Sequence, residues 1–104
     1  MPKFLFVYHG GGMPETPEEG EKMMADWGAW YEGMGAALAD PGGAVGMSHT
    51  VSGSGIAEDG GSNPSSGFTV VEAADHAAAC EIAKGCPMVK DGSGSVEVAP
   101  IMDM

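Results

Sequence analysis

The chain has 104 residues, enough for one domain spanning 1–104 with a modest core. Its net charge of −11 sets 15 acidic side chains against four lysines, Lys3, Lys22, Lys84 and Lys90, with no arginine. That balance argues against a nucleic acid or an anionic membrane as partner, because both need a clustered basic surface.

The 43% hydrophobic content is too high for a disordered acidic tail. No apolar run approaches the length of a membrane span, and the N-terminus lacks the pattern of a secretion signal. A cytoplasmic protein is expected, and Cys80 and Cys86 are too few for a disulfide scaffold.

The segment "KFLFVY" at 3–8 reads as a strand that is apolar on both faces, and so calls for cover on both sides. It runs into His9 and then into Gly10, Gly11 and Gly12. Thr16 caps a helix that starts at Pro17, and Glu19, three residues on, completes a capping box. The helix is expected to run to about Leu38, with Met23, Trp27, Trp30, Tyr31, Met34 and Leu38 forming an apolar stripe. "DPGG" at 40–43 reads as the turn that ends it.

Residues 44–51 read as a weaker strand of edge character, followed by a long polar connection rich in turn residues. "FTVVEA" at 68–73 is a strand, and Asp75 caps a short helix from His76 to Lys84. Gly85 and Pro87 end that helix, "VKDGSG" reads as a loop, and "SVEVAPI" at 95–101 is the last strand. The order strand–helix–strand–strand–helix–strand predicts an α+β, ferredoxin-like β-α-β-β-α-β fold with a four-stranded antiparallel sheet and two helices on one face. The other face needs cover, which a face-to-face homodimer supplies.

The segments "KFLFVYHGG", "WGAWYEGMGAALADPGGAVG" and "GFTVVEAADHAAACEIAKGCPMVKDGSGSVEVAPI", with the "EDGGSNPSSG" link, resemble the YCII-related family and its DGPF-domain group. "AKGCP", a glycine turn and "VEVAP" are the most distinctive part. The resemblance implies a ferredoxin-like fold that dimerises through its sheets into an α+β barrel. Some better-known relatives carry a His–Asp pair in a cleft. Here Trp27 and Trp30 stand in the region of the relatives' helix histidine, and "EDGGSNPSSG" stands where DGPF would.

His9 has two readings: a strand-end acid or base in contact with a ligand, or a partly exposed ring bonded to a backbone carbonyl. Asp26 and Tyr31 are its candidate catalytic assistants. Trp27, Trp30 and Tyr31 suit a core stripe that also lines an aromatic cleft. His49 is expected in a loop or on the surface, away from His9, and His76 at a helix start.

Neither a His-Glu-x-x-His nor a paired Cys-x-x-Cys pattern occurs, so no metal is expected. The triple glycine lacks the lysine and serine or threonine of a phosphate loop, so no cofactor is expected either. Cys80, four residues before Lys84, suits a buried structural thiol better than a nucleophile. The sequence therefore favours a dimeric accessory or small-ligand-binding protein. A small cofactor-independent enzyme with His9 as acid or base is the alternative, and a structural role is a third.

Overall fold

The computed structural model describes residues 1–12 and 14–102. Strand β1 (Lys3–Gly10) leads into helix α1 (Pro17–Met34), a 3-10 turn (Gly35–Ala37) and strand β2 (Leu38–Ala44). A small hairpin, β3 (Thr50–Ser52) and β4 (Gly55–Ala57), precedes strand β5 (Ser65–Glu72). Helices α2 (His76–Ala83) and α3 (Pro87–Lys90) and strand β6 (Gly94–Pro100) complete the described chain. The main sheet has the order β2-β5-β1-β6 with antiparallel pairing throughout, the ferredoxin-like α+β arrangement expected from the element order.

Phe4, Phe6 and Tyr8 alternate along β1 and are buried under the helices, with Val71 and Thr69 beside them on β5. Ala73, Ala79, Ala83, Cys86 and Met88 complete this core. Leu5, Val7 and His9 point to the opposite face, as the two-residue period of a strand requires. There they meet Val70, Phe68 and Ser65 on β5 and Ala99, Glu97 and Ser95 on β6. Among the described residues no element covers that face, and Phe68 is 39% exposed on it.

The helix caps form as the sequence predicts. The Thr16 hydroxyl accepts the Glu19 amide at 3.1 Å, and the Asp75 carboxylate accepts the Ala78 amide at 2.8 Å. The Glu19 carboxylate reaches back to the Glu15 amide at 2.9 Å, one residue before the cap itself.

Three expectations need correction. Helix α1 stops at Met34, because Gly35 takes a positive φ of 54° and its amide bonds back to the Glu32 carbonyl. "DPGG" is not a turn beyond the sheet but part of edge strand β2, so residues 45–49 lie outside the sheet. Proline is tolerated on an edge, and two register shifts absorb the irregularity. The Asp40 carboxylate accepts the Gly42 amide at 2.8 Å, and Gly42 (φ 65°) passes too close to the Phe68 backbone for any side chain. Finally, Val89 and Lys90, expected at the start of the "VKDGSG" loop, end a helical turn, "PMVK", with Pro87 at its first position, where no amide donor is required.

Candidate ligand cleft beneath the first helix

Helix α1 buries no residue fully; it leans on the sheet through Trp27, Trp30 and Met34. The space left between it, the sheet and α3 is a cleft of about 1340 Å³. Its walls carry Tyr8, Trp27, Trp30 and Tyr31, with Met88 below and Gly10 to Gly12 at one end. Positive φ angles at Gly10 and Gly11, 83° and 94°, turn the chain out of β1 there, and Met88 packs where a Gly11 side chain would stand.

The aromatic rings form one connected cluster. Trp27 meets Tyr8 edge-on at 5.1 Å and Trp30 at 5.5 Å, and Tyr31 lies 5.5 Å from Trp30. Phe6 stacks under Trp30 at 6.2 Å. Trp30 is further anchored by its indole N–H, which donates to the Ile82 carbonyl at 3.1 Å; the absence of a side chain at Gly85 leaves room for the ring. Trp30 therefore joins α1 to the end of α2, whereas Trp27 and Tyr31 are half-buried at the cleft wall.

The polar groups in the cleft are few. The Tyr8 hydroxyl donates to Thr69 Oγ1 at 2.6 Å, and that hydroxyl donates to the Pro41 carbonyl at 3.0 Å. Burial pushes the Tyr8 phenol far above its ordinary range, so it stays protonated. Ser66 also lines the cleft, and its buried hydroxyl has no hydrogen-bond partner. At the rim, Lys22 Nζ and Asp26 Oδ2 pair at 3.1 Å, one turn apart on α1.

The structure brings Asp26, Trp27, Trp30 and Tyr31 to this cleft but not His9. The residue after inward-facing Tyr8 points to the other face of the sheet. There the His9 ring lies between the Pro64 carbonyl, 3.2 Å from Nδ1, and the Glu97 carboxylate, 3.0 Å from Nε2. Both partners are acceptors, so donating to both at once requires the imidazolium. The His9–Asp26–Tyr31 grouping is therefore split by the sheet.

His49 is exposed in the segment outside the sheet. The His76 Nε2–H donates to the Val98 carbonyl at 2.9 Å and its ring packs 5.5 Å from Phe4, so it ties α2 to β6. Lys84 pairs with Glu81 at 2.8 Å. Cys80 is exposed rather than buried, whereas Cys86 is buried and burial pushes its thiol upward. Among the described residues, no group of three or more His, Cys, Asp or Glu side chains is placed to hold a metal ion, and no helix is long and apolar enough to cross a membrane.

Tyr8 and Ser66 in the cleft, and Thr69 buried behind Tyr8, are the residues that sequence reasoning missed. A signal existed for two of them. Tyr8 shares the parity of Phe4 and Phe6, and Thr69 is the one hydroxyl inside the apolar run "FTVV". A polar side chain in a buried strand needs a partner, which draws attention to what faces it.

A four-stranded antiparallel sheet under two main helices, with an aromatic cleft beneath the first, defines a small α+β protein of the ferredoxin-like class. The YCII-related domain model matches residues 4–104, nearly the whole chain, and the protein belongs to that family. No curated protein matches the chain.

Proposed function

We propose that this protein is a dimeric accessory domain that binds a small organic molecule in the cleft beneath α1. The observation that carries this reading is the standing-off of α1: four aromatic rings gather on a helix–sheet seam that nonetheless leaves about 1340 Å³ open. Binding sites for small molecules are concave and mostly apolar, with a few placed polar groups. Tyr8, Tyr31 and Ser66 are those groups here. The reading includes a cytoplasmic setting, in line with the two cysteines unpaired.

The open sheet face supports the dimer. Leu5, Val7, Phe68 and Val70 form an apolar patch across β1 and β5 that a second copy of the same face would cover. Binding without catalysis is favoured over an enzyme centred on His9, because that ring lies across the sheet from the cleft.

Two measurements test the two halves of the proposal. Tryptophan indole N–H resonances of the labelled protein, titrated with neutral single-ring compounds, are expected to shift saturably for Trp27 and Trp30. Unmoved indoles across the panel would end the cleft reading. Sedimentation equilibrium is expected to give about twice the 10.5 kDa chain mass, and Phe68→Glu is expected to return the chain to monomer. A wild-type monomer at high protein concentration contradicts the dimer.

A further inference from the structure

We infer that the ligand of this cleft is a neutral aromatic compound bearing a hydrogen-bond donor, such as a phenol, recognised at the outer end of the Tyr8–Thr69–Pro41 hydrogen-bond chain. The inference rests on the cleft being a binding site and goes further by assigning the ligand's chemistry.

The direction of the chain carries the argument. Pro41 offers only a carbonyl oxygen, which accepts and never donates. Thr69 must therefore spend its single hydroxyl proton on Pro41, at 3.0 Å. Tyr8 must in turn spend its own proton on Thr69, at 2.6 Å. The Tyr8 oxygen is left with lone pairs and no proton to give.

The end of the chain that Tyr8 presents at the cleft wall therefore accepts. A ligand that donates an O–H or N–H satisfies it, and one that offers only lone pairs leaves buried oxygens facing each other.

Other observations narrow the class. The rings of Tyr8, Trp27, Trp30 and Tyr31 suit a flat aromatic body. An anion would bring further negative charge to a chain of net charge −11, and the two lysines of the lining, Lys22 and Lys90, are matched there by Asp26 and Asp91. A cation would find two carboxylates in the lining, both already engaged: Asp26 is held by Lys22 at 3.1 Å and Asp91 accepts the Ser93 amide at 2.8 Å. The unpartnered Ser66 hydroxyl on the same wall offers a place for a second polar group.

The test uses the intact protein and the two indole N–H signals, with three probes of one shape: p-cresol, 4-methylanisole and p-toluate. In the native protein p-cresol is expected to bind at least about tenfold more tightly than 4-methylanisole, in which a methyl group replaces the donated proton. Tyr8→Phe is expected to shrink that preference below about threefold. Thr69→Val removes the acceptor that orients Tyr8, frees the phenol to donate, and is expected to strengthen 4-methylanisole relative to p-cresol. Equal binding of p-cresol and 4-methylanisole, or tighter binding of p-toluate, overturns the donor inference while leaving the cleft intact. Silence from all three probes overturns the cleft reading and this inference together.

Discussion

Helix α2 meets the sheet through Ala79 and Ala83, both buried, whereas α1 meets it through Trp27, Trp30 and Met34 and buries no residue fully. Both helices lie on the same face of the same sheet. Methyl side chains let α2 approach until the gap is filled. Indole rings hold α1 away and leave space between them that the backbone cannot close. Packing of the close-packed kind belongs to α2, and the space for a ligand belongs to α1.

The difference can be broken or sharpened by substitution. Phe6 is fully buried and stacks under Trp30, so it serves the helix-covered core as a whole. Phe6→Ala is expected to cost about 3–5 kcal/mol in urea unfolding and to loosen both helices. A cost below about 1 kcal/mol would mean the core is not organised as described.

A matched pair separates the helices more finely. Ala79→Leu forces bulk into the filled seat of α2 and is expected to cost about 1–3 kcal/mol. Ala29→Leu adds the same bulk to an exposed position on α1 at the cleft wall and is expected to stay within about 0.5 kcal/mol. Equal penalties in thermal unfolding would erase the contrast.

Smaller effects are expected at the helix starts. Thr16→Ala and Asp75→Ala each remove a capping acceptor and are expected to cost about 1 kcal/mol in the same assay.

Alkaline pH gives a further check on the buried phenol. Burial raises the Tyr8 pKa in the folded state, so its contribution to stability is full below the unfolded value of about 10 and falls as pH rises above it. Ultraviolet titrations of the folded native protein and of Tyr8→Phe are expected to differ only above the ordinary phenol range. A difference within that range would mean Tyr8 is open to water.

Much of the fold was legible because β1 and β5 are short apolar runs and both main helices carry strong caps. Edge strand β2 was not, since "DPGG" has turn chemistry and pairs only through two register shifts along an edge. Segment 44–51 misled in the opposite way: Val45 and Met47 look like strand residues, yet both are exposed and lie outside the sheet. Trp27, Trp30 and Tyr31 could be placed on a cleft wall by helical spacing. His9 could not be placed beside them, because strand parity sends it to the face opposite Tyr8. The partners of Tyr8 come from β2 and β5, 33 and 61 residues away, and only the folded register brings them together.

The most direct test of the cleft is a set of intermolecular nuclear Overhauser effects between bound p-cresol and the protein. The account predicts contacts from the ligand ring to Trp27, Trp30 and Tyr31, with the ligand hydroxyl end toward Tyr8. Contacts confined to Leu5, Val7 and Phe68 on the open sheet face would contradict it and move the binding surface to the other side of the sheet.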